Sequence, residues 1–389
     1  MKKALIYDPY VGHIAGAQKV THNVIDFIAS EYEVLVFLRN VSSQHVDKLK
    51  EKHNYRYISF ESLIGKAFGK GTSDSNINNG LLHKFILLLS IIFSNFLFAF
   101  EVIKSKPKIV YTYDPRGLVL CGLFLKWLDC KVIWHLHGPL NYNENFTKFL
   151  LSIPDKVVVP SRYIKDTIIK YRADVDVIYN GFEFDGDKYK KSTELGIISL
   201  LYVGTLVPHK GLHVILEALR KVSLKDSTKI KLNVLGDYIG SGCSSYQEYL
   251  SVRESALPDK VSVVYHGWVT DPSIYYRMSD IVLFSSVLNG QIMLDDKLVN
   301  IRSSEALPTV LIEALSYRTP VIATDAPGVA EILTSSTDGI IIPESEPNNF
   351  KEAIEKMINN IEKFDVENEK TLKKFDVNNM KIKFLGLIE

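Results

Sequence analysis

The sequence predicts an α/β protein built from two doubly wound parallel-sheet units. Three observations carry that reading. The chain is 389 residues long, short strands alternate with helical patterns through its first half, and the alternation restarts after a charged stretch at 182–195. A chain of this length exceeds one ordinary core. Strands that alternate with helices pair in parallel and are covered on both faces. The expected division is a first unit over 1–181, a hinge over 182–195, a second unit over 196–360 and a tail over 361–389.

Short β-branched runs place the first strands at Ala4–Tyr7, Glu33–Phe37, Arg56–Ser59, Ile109–Thr112, Lys131–His135, Lys156–Val159 and Asp176–Ile178. Helical spacing fills Gln18–Ser30, Phe85–Lys104 and Arg162–Tyr171. In the second half, strands fall at Ile198–Val203, Ile230–Leu235, Val261–His266, Ile281–Ser285 and Pro320–Thr324. Helices fall at Gly211–Leu224, Tyr246–Ser255, Pro272–Met278 and Pro308–Ser316, and Val329–Leu333 and Gly339–Ile342 complete the pattern. The segment Leu81–Phe100 is apolar nearly all round, but Asn95 interrupts it and its uncharged run is short for a membrane span. It reads first as a buried helix and second as an interfacial one, with Lys66, Lys70 and Lys84 nearby.

Composition removes several function classes. Lys plus Arg number 46 against 45 Asp plus Glu, so no bulk field favours nucleic acid. Cys121, Cys130 and Cys243 show no CxxC spacing, and reduced structural thiols are expected. The N-terminal run is too short for a secretory signal, so a location inside the cell is expected. There is no GxGxxG after the first strand, no Walker lysine, no HExxH and no clustered metal spacing. A dinucleotide oxidoreductase and a P-loop enzyme are disfavoured.

The richest stretch runs from Ser303 to Asp325. Glu305 precedes an apolar helix that opens at Pro308, and Glu313 lies about two turns inside it. The positive end of that helix suits an anion, and Thr309 stands in its first turn. Two acids beside such an end fit a sugar nucleotide, whose hydroxyls need acceptors and whose diphosphate needs donors. A lone Glu is more often a solvated surface residue, so company decides. Gly204–Gly211 supplies some: a strand, a tight turn, Lys210 and a helix start. His135 and His137 end another strand on one face, where open α/β sheets bind ligands. Gly12 and Gly16 follow the first strand, and either turn the chain or bring backbone N–H groups to a ligand.

Glu305 and Glu313 together resemble the Glu-x7-Glu signature of retaining GT-B glycosyltransferases, family 4 in particular. Gly204–Gly211 resembles that family's G-R-L-x3-K-G element, Val11–Val20 its glycine loop, Trp134–Pro139 its His-Gly strand end, Val159–Lys165 its Ser-x-x-x-Lys turn and Ile178–Gly181 its Asn-Gly hinge. The resemblance implies two Rossmann-like domains facing a cleft, with the tail packing back on the first. It implies a hexosyltransferase-type enzyme that moves a sugar from a nucleotide-diphosphate donor with retention and without a metal or other cofactor. Glu305 would then contact the sugar, Glu313 the ribose, and His137 the reacting region. Lys210, Gly16, Thr205 and Thr309 would meet the diphosphate, and Gly236, Trp268 and Val269 the base.

Three residue departures stand out. Thr205 replaces the phosphate-binding Arg, for which Arg302 is the candidate substitute, and Ala15 replaces the first glycine of the loop pair. Arg318 replaces a frequent glycine where a left-handed cap is expected. Residues 287–302 form an insertion, read as a loop over the donor pocket, with Asp295 and Asp296 as solvated acids. The implied acceptor is a glycan or lipid-linked saccharide of bacterial surface polysaccharide synthesis, with membrane-surface contact through 81–104 at the cytoplasmic face. The alternatives are a catalytically silent sugar-nucleotide binder and a GT-B sugar-nucleotide epimerase.

Overall fold

The computed structural model describes residues 2–9, 16–39, 44–57, 81–184, 196–225, 227–238, 243–303, 305–367 and 369–388. The loop positions Gly12 and Ala15, the stretch 58–80 with its expected strand end at Ser59, and most of the 182–195 hinge lie outside them. The chain forms two compact units, Met1–Glu183 with Phe375–Glu389, and Phe184–Lys374.

The first unit is built on seven strands: β1 (Lys3–Asp8), β2 (Glu33–Leu38), β3 (Asn54–Tyr57), β4 (Ile109–Tyr113), β5 (Lys131–His135), β6 (Lys156–Val159) and β7 (Asp176–Val177). Their order is β3-β2-β1-β4-β5-β6-β7, and every pairing is parallel. Burial on both faces explains the continuous apolar runs, such as Ile109–Tyr113, in which all five residues are buried. The helices are α1 (Gly16–Glu31), α2 (Gln44–Lys52), α3 (Leu81–Ser105), α4 (Asp114–Cys121), α5 (Glu144–Leu151) and α6 (Arg162–Ile168).

Helix α3 corrects the expectation of a buried apolar helix. Its inward face carries Ser90, Ser94, Asn95, Phe98 and Val102, while large apolar side chains from Phe85 to Ile103 point outward. Asn95 fixes that orientation. Its Nδ2 donates to the carbonyls of Ile91 and Val119, and its Oδ1 accepts from the Leu123 N–H at 2.7 Å. A buried amide with these partners is satisfied; turned outward it would lose them.

The second unit repeats the pattern with β8 (Ile197–Val203), β9 (Lys229–Leu235), β10 (Val261–Tyr265), β11 (Ile281–Phe284), β14 (Val321–Thr324) and β15 (Gly339–Ile342), in the order β10-β9-β8-β11-β14-β15. Helices α7 (Leu212–Lys221), α8 (Cys243–Glu254), α9 (Ser273–Met278), α10 (Thr309–Ser316), α11 (Val329–Ile332) and α12 (Pro347–Ile358) cover it. In place of the expected loop, the insertion is an antiparallel hairpin, β12 (Gly290–Leu294) with β13 (Lys297–Ile301). Ile292 and Ile301 are buried with Tyr246 and Leu250 of α8, so the arm belongs to this unit's core. Asp295 and Asp296 are its two turn residues, both at positive φ (48° and 58°), and Asp tolerates that region.

Helix α13 (Glu369–Phe375) leads into α14 (Val377–Ile388). Residues 361–374 of the tail belong with the second unit, where Lys374 donates to the Glu331 carbonyl at 2.6 Å. Residues 375–388 join the first. The Phe182 N–H donates to the Phe375 carbonyl and the Phe182 carbonyl accepts from the Val377 N–H, and Met380, Phe384 and Ile388 enter the core beside Tyr111 and Ile133. A Cβ on Gly181 would come within 2.7 Å of the Val377 Cα, so the bare glycine is what lets the tail close on the strand end.

Candidate functional site

Each sheet reverses strand order at one point, between β1 and β4 in the first unit and between β8 and β11 in the second. Ligands of open α/β sheets bind at such points, beyond the C-terminal strand ends. In the second unit, the turn after β8 carries Thr205 and Lys210, and Ser285 and Ser286 follow the end of β11. Gly211 adopts φ 74°, and a Cβ there would run into the Ser285 carbonyl oxygen. Gly236, at φ 139°, presses on the Gly204 carbonyl in the same way. Glycine is required at both, and the two turns lie flat against their neighbours.

That close packing brings Lys210 to Glu305. The ammonium donates to Oε1 at 2.6 Å, and the hydroxyls of Ser286 (2.6 Å) and Ser303 (3.3 Å) donate to the same oxygen. Burial alone would raise the Glu305 pKa, but the Lys210 charge and hydrogen bond and the two hydroxyls outweigh it, and the pKa is lowered. Glu305 is therefore an ionised, nearly buried carboxylate. Its helix, α10, begins one residue later than expected: Pro308 is the N-cap, with extended backbone and no side-chain cap, and Thr309 is the first helical residue.

Two turns on, Glu313 accepts a hydrogen bond at 2.9 Å from the hydroxyl of buried Tyr276. Tyr276 stacks on Tyr317 at 5.6 Å and 12°, so the bond is held from below by packed rings. Burial, with the Glu313 charge adding to it, keeps the phenol protonated and a donor. Trp268 is exposed, and its backbone N–H donates to Asp237 Oδ2 at 3.1 Å, with Val269 following. Arg302 is exposed, and among the described contacts none brings it to Lys210 or Glu305.

The first unit's strand ends carry a different arrangement. His135 is buried, His137 partly so, and their rings lie 4.0 Å apart, the shared face that strand alternation predicts. Tyr111 Oη meets His135 Nδ1 at 3.1 Å, and Phe384 of α14 packs 5.8 Å from Tyr111. Tyr113 donates a short hydrogen bond to buried Asp8. Among the described residues, Nε2 of both histidines is buried without a hydrogen-bond partner. Burial lowers the His137 pKa to about 4 against the upward pull of Asp114. Both imidazoles are thus neutral near pH 7. Gly16 stands at the first residue of α1.

The structure thus joins Lys210 with Glu305 and seats Glu313 on Tyr276. Ser286, Ser303 and Tyr276 are partners that sequence reasoning missed. Two serines at a strand end give a weak signal for the first; nothing in the spacing of Tyr276 and Glu313, 37 residues apart, announces the second. Lys165, by contrast, explains its motif: it donates to the Val175 carbonyl at 2.9 Å while Ser161 caps α6, so the turn is structural.

Two family models match the chain, Glycosyltransferase Family 4 over residues 14–185 and Glycosyl transferases group 1 over residues 187–374. A protein encoded in the cps region of Klebsiella pneumoniae is 24% identical over 67% of this chain and 64% of its own length. The capsular polysaccharide biosynthesis glycosyltransferase CapM of Staphylococcus aureus is 23% identical over 66% of this chain and 68% of its own. The chain thus spans less than two thirds of the Klebsiella relative. Among solved structures, Anabaena HepE in complex with UDP superposes with a TM-score of 0.73 at 18% identity, covering 99% of each chain. A glycosyltransferase from Rickettsia africae gives 0.73 at 19%, over 100% of this chain and 98% of its own.

Proposed function

The chain belongs to the family 4 (group 1) glycosyltransferases of GT-B fold, and from that premise we propose that it transfers a sugar from a nucleotide-diphosphate donor to a saccharide acceptor, with retention and without a metal. One observation carries the reading. An ionised Glu305 and a Lys210 ammonium are held together at the switch point of the second sheet, beside the N-terminus of α10.

An ammonium has three N–H donors, and Glu305 takes one. The other two suit the diphosphate, whose negative charge grows as the sugar–oxygen bond breaks, and a fixed cation there lowers the barrier. The described hydrogen bonds to Glu305 all fall on Oε1, which leaves Oε2 to accept from a donor-sugar hydroxyl. Glu313, steadied by Tyr276, would accept from the ribose hydroxyls, and Thr309 would add its N–H and hydroxyl to the phosphates. Gly236, Trp268 and Val269 would frame the base. Neutral His137, with one ring nitrogen unengaged, would hydrogen-bond the reacting sugar.

Support for a uridine donor comes from the HepE structures, which hold UDP and UDP-glucose. Support for a surface-polysaccharide acceptor comes from CapM and from a lipopolysaccharide 1,2-N-acetylglucosaminetransferase of Salmonella typhimurium. The test is nucleotide release from UDP-, GDP- and ADP-sugars in the presence of EDTA and a bacterial membrane extract as acceptor. Release from one donor is the expected result. Tight nucleotide binding with no release from any donor would overturn the transfer reading in favour of a silent binder.

A further inference from the structure

Helix α3 turns a continuous apolar stripe outward, and its surroundings indicate what covers it, independently of the transfer reaction. Phe85, Leu88, Ile92, Phe96, Phe100 and Ile103 are all exposed, Phe96 and Phe100 by 60% and 62%. Steps of three and four residues place them on one face. At 1.5 Å per residue the stripe is roughly 27 Å long. Residues Leu87–Ser105 are apolar enough to cross a membrane, but the opposite face is committed to the unit's core through Asn95, Phe98 and Val102. Such a helix lies on a surface and does not span it.

The neighbourhood is that of an interfacial anchor. Phe124 packs 4.9 Å from Phe96 and 6.4 Å from Trp127, and Trp127 is 69% exposed, so an indole extends the stripe sideways. Tryptophan favours the boundary between hydrocarbon and headgroups. At the C-terminal end the stripe gives way to exposed Lys104, Lys106 and Lys108. Lys104 also lines a surface pocket of about 610 Å³ with Lys3, Lys50 and Arg56, against two acids, Glu33 and Glu101. An apolar face that ends in an excess of cations complements a bilayer with anionic headgroups.

We infer that the first unit docks on an anionic lipid bilayer through α3, with the Phe96–Phe100 stripe in the interface and the Lys104 end among headgroup phosphates. A second copy of the chain is a poorer occupant. Glu101 is the one acid in the α3 sequence, and Arg56 holds it at 2.9 Å, so pairing two α3 faces brings no open carboxylate to the lysines. The docked end lies beside Lys3, at the start of β1, whereas His137 follows the far end of β5. Docking therefore leaves the ligand-binding strand ends uncovered.

The test is co-sedimentation of the purified full chain with vesicles of phosphatidylcholine alone, or mixed with phosphatidylglycerol. Binding to the anionic vesicles that weakens with salt is expected. Phe96→Ser with Phe100→Ser should lower partitioning at least about tenfold. Lys104→Gln with Lys108→Gln should lower it roughly 25-fold on anionic vesicles, about fivefold per charge, and leave phosphatidylcholine binding unchanged. Melting curves matching wild type would show that the variants fold, and the lysine pair keeps the test decisive if the phenylalanine pair does not. Wild-type chain left in the supernatant with both vesicle types would overturn the inference. So would a solution dimer that Phe96→Ser with Phe100→Ser converts to monomer, since the stripe would then be an interface between copies.

Discussion

The two units share one sheet topology but build their strand ends from different materials. Among the described residues, all six glycines at positive φ lie in the second unit: Gly196, Gly211, Gly236, Gly267, Gly328 and Gly339. Two of them, Gly211 and Gly236, flatten the turns that bring Lys210 to Glu305. In the first unit, the positive-φ residues are Lys106 and Asp114, and the strand ends are finished by side chains: Asp8, Tyr111, Tyr113, His135 and His137. One site is a backbone cradle with an ion pair in it; the other is a packed side-chain network around two neutral imidazoles. A backbone cradle tolerates little change in residue type, because only glycine fits. A side-chain network tolerates many solutions, provided volume and hydrogen bonds are kept.

Five substitutions would break or sharpen this contrast. The largest effect belongs to Phe384, which is fully buried against Tyr111 and His135. Phe384→Ala should cost the first unit about 3–5 kcal/mol through the cavity it leaves. Calorimetry should show that unit's transition falling while nucleotide binding by the second is retained. If both transitions move together, the units are not energetically separate and the contrast fails.

Next comes the ion pair. Lys210→Ala should lower transfer roughly 100- to 1,000-fold, the range found when one preorganised donor is removed. Glu305→Gln should do likewise. The double variant should be far from additive, because each residue's role depends on the other. His137→Ala should lower turnover with donor-nucleotide affinity unchanged by titration calorimetry. A loss of nucleotide affinity there would place the base or phosphates against the side-chain network and undo the division of labour.

The smallest effect tests one of the three non-glycine residues at positive φ in the second unit. Arg318 occupies a left-handed position, φ 57°, in a full helix-ending motif: its N–H bonds the Leu315 carbonyl and that of Thr319 bonds the Ala314 carbonyl. Arg318→Gly should stabilise the second unit by about 0.5–1 kcal/mol, strain relief less the added freedom of the unfolded chain. A lower melting temperature would mean that the arginine side chain contributes more than its backbone loses.

The same contrast explains what the sequence disclosed. Strand and helix positions followed from periodicity, whereas Gly211, Lys210, Glu305 and Glu313 were singled out by the spacing of local motifs. Ser286 and Tyr276 were not legible: they reach their acids across the sheet, and sequence distance carries no trace of that. Helix α3 misled because apolar content does not say which face points inward; one amide, Asn95, decided it. The insertion at 287–302 looked like a loop because its short strands lack β-branched runs on both faces, and within the two strands only Ile292 and Ile301 are buried. The tail divided at 374/375, a boundary that no change of composition marks.

That division sets an order of assembly. The second unit is one continuous piece, Phe184–Lys374, whereas the first needs residues from both sides of it. During synthesis the first unit's sheet is made early, yet Tyr111 and His135 wait for Phe384 until the second unit has been translated. At about 5–20 residues per second the intervening 184–374 stretch takes roughly 10 to 40 s. For that interval the sheet face around Tyr111 and His135 lacks its Phe384 cover, and α14, made after the second unit, is the helix that closes it.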